Sequence, residues 1–266
     1  MKVLIVGYGN MGKTYSNSFI SSRFIKPEDI YLFVKNSSKT ILENGVLEKN
    51  CFEKPTSEIG NFDILILAVK PQDFRDLASK IKPFLNNHQI ILSIMAGVTI
   101  ATLQTALGCE KIIRSMPNIP SQIGLGMTVF SAANSVDRKE LFIIQNLINT
   151  TGKSIYIEDE NLLNAATAIS GSGPAYVFFF MNAMIKAAVE LGFNESEAEL
   201  MVNQTFMGSV AIQNSHSLSN EQWIKKVASK GGTTESALQI FEIGYLQDII
   251  VNAIKAANNR AIELGT

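Results

Sequence analysis

Residues 3–14 read VLIVGYGNMGKT, and the stretch carries two incompatible fingerprints. Gly7, Gly9 and Gly12 spell G-x-G-x-x-G, a dinucleotide-binding loop. Gly7, Gly12, Lys13 and Thr14 also spell G-x-x-x-x-G-K-T, the phosphate loop of nucleotide hydrolases. Either reading sets the loop between a first strand and a helix, where unpaired amides and the helix dipole attract phosphate. A hydrolase also needs magnesium, held with help from an aspartate at the end of a second apolar strand. Here DILILAVKP (63–71) ends in Lys70 and Pro71, and neither IILSIMAG (90–97) nor IYLFVKN (30–36) ends in a carboxylate. The dinucleotide reading is favoured. Gly7 permits the tight turn, Gly9 lets the backbone approach a pyrophosphate, and Gly12 lets the helix pack closely. Tyr8, Asn10 and Met11 complete the cofactor loop.

Outward from this loop, strand candidates alternate with helical patterns: KVLIV (2–6), IYLFV (30–34), DILILAV (63–69), QIILSI (89–94), KIIRSM (111–116) and GMTVFS (126–131). The alternation predicts an α/β fold with a mostly parallel, doubly wound sheet covered by helices on both faces. Strand signals end after KSIYIED (153–159). From about Asn161 the chain reads as helix after helix, broken at SGSGP (170–174), LGFNES (191–196), HSLSNE (216–221), SKGGTT (229–234) and EIG (242–244). The expected division is 1–158 for a Rossmann domain and 159–266 for a helical one.

An acidic residue at the end of the second strand would accept hydrogen bonds from the ribose of NAD and repel the 2′-phosphate of NADP. That place holds Lys35, Asn36, Ser37, Ser38 and Lys39. Cations, hydroxyls and an amide suit the extra phosphate, so NADPH is the favoured cofactor with NADH possible. Ser and Asn also favour plain turns, and that alternative stays open.

The 23 basic and 24 acidic residues among 266 nearly cancel and are not clustered. No nucleic-acid or membrane partner is expected from such a balance. Cys51 and Cys109 lack Cys or His neighbours at ligand spacing and read as reduced thiols of a cytoplasmic protein, with no metal expected. PAYVFFFMNAMIKAAVELG (174–192) reads as too interrupted for a membrane span. The strongly polar side chains of its helix, Asn182, Lys186 and Glu190, form one narrow line, so the helix needs cover on nearly all sides. A second subunit would supply it; a central place in its own domain is the alternative.

Six motifs resemble those of pyrroline-5-carboxylate reductases in order and spacing: GYGNMG (7–12), AVKPQ (68–72), IMAGVT (94–99), RSMPNIP (114–120), SGSGPAY (170–176) and VASKGGTTESAL (227–238). The resemblance implies a Rossmann domain followed by an all-helical dimerisation domain, in a homodimer or larger assembly of dimers. It also implies reduction of 1-pyrroline-5-carboxylate to L-proline by NAD(P)H. By the same likeness Ala68, Val69, Lys70, Pro71, Ala96 and Gly97 border the nicotinamide side, and Asn118 joins the cofactor contacts near the domain junction. Ser229, Gly231, Gly232 and Thr233 match the substrate-carboxylate loop. Thr234 matches the threonine beside the ring nitrogen, the implied catalytic residue, and Glu160 matches an acidic residue near the substrate.

The loop supports this on its own terms. Two glycines and two threonines opening TTESALQIFE (233–242) put amide donors and hydroxyl caps at a helix start, although a plain cap would also use Thr. Lys230 stands where relatives usually carry Pro, and Lys225 and Lys226 replace a polar or acidic pair. A related cyclic imino acid is therefore the alternative substrate. His88 and His216 lie outside every motif. A β-hydroxyacid dehydrogenase would need a Lys where the chain has Val177. A non-catalytic NADP-binding protein on the same fold is the remaining alternative.

Overall fold

The computed structural model describes residues 1–36 and 45–264. Its first unit alternates strand and helix in chain order: β1 Val3–Val6, α1 Asn10–Ser21, β2 Ile30–Phe33, β3 Cys51–Phe52, β4 Ile64–Leu67, α2 Phe74–Ile81, β5 Ile90–Ser93, α3 Ile100–Leu107, β6 Ile112–Met116, β7 Gly126–Ala132, α4 Arg138–Asn149, β8 Gly152–Tyr156 and α5 Leu162–Ala166. The strands form one sheet in the order β3-β2-β1-β4-β5-β6-β7-β8, parallel except for the antiparallel β6–β7 pair. The order reverses direction at β1, whose neighbours are β2 and β4. Ligands of open α/β sheets bind beyond the carboxyl ends of strands at such a switch point.

Side chains alternate between the two faces of each strand, and both faces are covered. Val3, Ile5, Ile64 and Ile66 pack in one cluster with Tyr15 and Phe19 of α1 and Ile144 and Leu147 of α4. Leu4, Val6, Leu65 and Leu67 pack in the other with Leu77 of α2 and Leu103 of α3. Burial on both faces explains why these strands read as continuous apolar runs. β3 has two residues, too few to leave a pattern in the sequence.

The helical part comprises α6 Gly173–Glu190, α7 Glu195–Ser215, α8 Asn220–Val227, α9 Thr233–Ile243 and α10 Leu246–Leu264. By contacts the chain forms two compact units: Met1–Ser172 with the end of α10 from Ala257, and Gly173–Ala256. Residues 159–172, grouped by sequence with the helices, thus pack with the sheet.

At SGSGP regular α-helix is interrupted as expected, by a π turn and a bend at Ser172. Thr167–Gly171 forms a π turn that carries the helix onward, with Ser172 N–H bonding Thr167 O at 2.8 Å. Thr167 and Ser170 hydroxyls bond the carbonyls of Leu163 and Ala166 at 2.7 and 3.0 Å, so the small polar residues point back into the helix. α5, the π turn and α6 follow one another over Leu162–Glu190, 29 residues, long and apolar enough to cross a bilayer by length and composition alone.

In the second unit α6 packs against α7 yet buries none of its residues. Phe178, Phe179, Leu200, Met207, Ile240 and Ile249 are all more than half exposed.

Candidate active site

At the crest of the first unit, the glycine loop follows β1. Gly7 has φ +96°, a region L side chains avoid, and a Cβ there would stand 2.8 Å from the Ala68 carbonyl oxygen. A Cβ on Gly12 would collide with the Gly7 carbonyl, so the third glycine brings α1 onto its own entry turn. Gly9 has no atom within 4 Å of its would-be Cβ and faces open space. It is also the N-cap of α1, extended at φ −79°, and supplies no side-chain cap. The first-turn amides of Asn10, Met11 and Gly12 are thereby left for a ligand, and the open space over Gly9 fits a pyrophosphate.

Thr14 settles the competing fingerprint. A phosphate-loop threonine turns its hydroxyl to magnesium. Thr14 is instead buried and donates its hydroxyl to the Asn10 carbonyl at 2.8 Å.

Beside the loop lies a cavity of about 320 Å³ with apolar walls from Phe33, Val69 and Leu77 and polar ones from Lys35, Glu53 and Asp73. The Lys35 ammonium sits 3.3 Å from Asp73, both solvent-exposed. Sequence reasoning placed Lys35 here but missed both acids, which come from distant segments without a motif. Ser37, Ser38 and Lys39 lie outside the described residues.

The ends of β4 and β5 complete the crest. Ala68 N–H bonds Val6 O at 2.8 Å, and Ile94 N–H bonds Leu67 O at 3.2 Å. Through these bonds Ala68–Val69 and the loop from Ile94 lie on successive strands beside the glycine turn. Lys70 and Ala96 are exposed, Pro71 opens a short 3-10 turn, and Gly97 takes φ +78°.

Asn118 and Glu160 make hydrogen bonds within the first unit that no motif signalled. Asn118 donates to the Ser170 carbonyl at 3.1 Å and accepts from Met127 N–H at 2.9 Å, tying the segment after β6 to the π turn and to β7. One oxygen of Glu160 accepts from the Arg114 guanidinium at 2.9 Å and from Ile100 N–H at 2.8 Å. Arg114 is 4% exposed and also reaches Asn164 Oδ1 at 3.4 Å.

The glycine-threonine loop belongs to the second unit. Gly231 adopts φ +73° and Gly232 is the extended N-cap of α9. Neither threonine hydroxyl caps the helix, contrary to the sequence expectation: a cap must come from the residue before the first turn, and that residue is glycine. Two loop donors are already engaged, Gly231 N–H by Glu235 Oε2 at 2.6 Å and Gly232 N–H by Ser229 O at 3.0 Å. The first-turn amides of Thr233 and Thr234 remain the outward-facing donors. Glu235 had no sequence signal beyond its place in the first turn. Ser229, Lys230 and Lys225 are exposed, and the Lys226 ammonium lies 5.0 Å from the Trp223 ring centroid. His216 bonds Ser215 and meets Trp223 edge-on. Burial pushes both thiols, Cys51 and Cys109, above their ordinary pKa, which keeps them protonated.

Residues 160–264 match the family profile described as pyrroline-5-carboxylate reductase dimerisation, and residues 2–97 match one described as NADP oxidoreductase, coenzyme F420-dependent. Pyrroline-5-carboxylate reductase 2 of Bacillus subtilis is 31% identical over 99% of this chain and 95% of its own length. The pyrroline-5-carboxylate reductase of Staphylococcus haemolyticus is 33% identical over 99% of this chain and 98% of its own. Among solved structures, a pyrroline-5-carboxylate reductase from Coxiella burnetii superposes with a TM-score of 0.90 at 30% identity, covering 100% of this chain and 98% of that one. The Plasmodium falciparum pyrroline carboxylate reductase with NADP bound gives 0.88 at 28%, with the same coverage.

Proposed function

The chain belongs to the pyrroline-5-carboxylate reductase family, and from that premise we propose how its residues divide the work of reducing 1-pyrroline-5-carboxylate to L-proline with NAD(P)H. Residues 1–158 carry the dinucleotide; residues 159–266 supply the subunit contact and the substrate loop. The α1 amides and the space over Gly9 take the pyrophosphate, with Ala68–Pro71 and Ala96–Gly97 along the nicotinamide. Lys35, beside its cavity, together with Asn36, Ser37 and Ser38, favours NADPH over NADH.

The reduced nicotinamide supplies a hydride to the imine carbon. The protein holds the substrate's carboxylate on the amides of Thr233 and Thr234, with Ser229 and the two loop glycines shaping that cradle. Thr234 directs its hydroxyl to the ring nitrogen. Because a cyclic imine is readily protonated in water, no strong side-chain acid is required, which agrees with both histidines lying outside every motif. The observation that carries this reading is the glycine-led start of α9, whose first-turn amides lack a side-chain cap. Lys230 adds a cation to the loop and leaves a related cyclic imino acid as the alternative substrate.

The exposed apolar faces of α6, α9 and α10 fit burial against a second copy, in a homodimer or an assembly of dimers in the cytoplasm. Thr234→Ala tests the central role. It lowers kcat about 10- to 100-fold, the range for a hydrogen bond to a charged group, with little change in NADPH affinity. Unchanged turnover contradicts the assignment.

A further inference from the structure

The contacts of Glu160 give it a role besides the one the resemblance implies. We propose that Glu160 is a positioning residue for the nicotinamide end of the cofactor: with Arg114 behind it, it fixes the loop between β5 and α3. The inference rests on the reading that Ala96 and Gly97 border the nicotinamide.

The loop, residues 94–99, is pinned at both ends and open in the middle. At its start the Ser93 hydroxyl accepts from Met95 N–H at 3.3 Å, and the Ser93 carbonyl accepts the Ser115 hydroxyl at 3.1 Å. At its end the Thr99 hydroxyl accepts from Thr102 N–H at 3.2 Å, and Glu160 takes the amide of Ile100, the first residue of α3. Between these anchors Ala96 is exposed and Gly97 turns at φ +78°. A carboxylate at a helix start complements the helix dipole, and this one has a nearly buried guanidinium to hold its charge in place. Glu160 therefore sets where α3 begins, and hence where the exposed tip stands relative to the β1 and β4 ends. Both hydrogen bonds fall on Oε1, so the two anchors converge on a single atom and fix the start of α3 to the Arg114 guanidinium.

The test separates this role from plain stability and from the family reading. Ile100→Pro deletes the N–H that Glu160 accepts, together with a buried isoleucine side chain: proline suits the first helical position, and Thr99 at φ −76°, ψ 159° already has the conformation a following proline requires. Ile100→Ala controls for lost packing. With the whole chain, dissociation constants are measured for NADPH and for 2′-phospho-ADP-ribose, which lacks the nicotinamide, alongside kcat, KM and Tm. In Glu160→Ala and Ile100→Pro, NADPH weakens about fivefold or more relative to the fragment and kcat falls about tenfold, as expected for a misplaced reacting group. Glu160→Gln, which keeps both acceptor contacts, recovers most of the affinity ratio, and Ile100→Ala stays near the parent. The proposal is overturned if NADPH and the fragment weaken together, or if the ratio is unchanged in both clamp variants. Failure of the parent protein to reduce 1-pyrroline-5-carboxylate would instead count against the family reading, since the affinity ratio is measured without substrate.

Discussion

Among the described residues, six helices are entered from an extended residue, and they fall into two groups. α3, α4, α7 and α8 start at Thr99, Asp137, Asn194 and Ser219, and each of these side chains accepts a hydrogen bond from the third residue of its helix. The last three are full capping boxes, with Glu140, Glu197 and Gln222 answering from inside the helix. α1 and α9 start at Gly9 and Gly232 and have no side-chain cap. α2 and α5, entered from αR residues, also lack a side-chain cap, but among α-helices with an extended entry the cap is missing only at the two starts that the family reading assigns to anions, one in each compact unit. An uncapped start is worth less in stability and more in binding, because its amides and dipole are open to a ligand.

The comparison can be broken first at α1. Gly9→Asp installs the missing cap and a negative charge where the pyrophosphate would sit. The space is open, and like-charge repulsion at close range raises the NADPH dissociation constant about 100-fold in a fluorescence titration. Unaltered affinity would mean that the pyrophosphate does not use this helix. Next in size is Gly7→Ala, which combines a strained φ with a clash at the Ala68 carbonyl and lowers stability by about 2 kcal/mol or more in urea denaturation. The capped group responds in the opposite sense. Asp137→Ala costs about 1 kcal/mol of stability and leaves kcat/KM at the parent value. The smallest effect sharpens the contrast: Gly9→Asp changes stability by only about 0.5 kcal/mol or less, since glycine is already a fair N-cap.

The sheet was legible because its central strands β1 and β4, buried on both faces, are apolar without interruption, and the glycine spacing at 7, 9 and 12 marks a turn with a mechanical need at each position. Only β3 escaped, being two residues long. The helical half was harder. SGSGP reads as a break because glycine and proline are breakers in isolation, and there regular α-helix gives way to a π turn, with Thr167 and Ser170 bonding backward into the helix. The threonines of GGTT read as caps because Thr commonly caps; their position one step inside the helix is decided by backbone geometry that spelling alone does not reveal. Arg114 and Ile100 lie 46 and 60 residues before Glu160 in sequence, and only the fold joins them to it. Glu53 and Asp73 reach the cavity beside Lys35 in the same way.

The measurement that bears most directly on the two uncapped starts is a crystal structure of the whole chain with NADP⁺ and L-proline. The expected result is a pyrophosphate on the amides of Asn10–Gly12 and a proline carboxylate on those of Thr233 and Thr234. A carboxylate bound away from α9, or a pyrophosphate away from α1, would contradict the assignment.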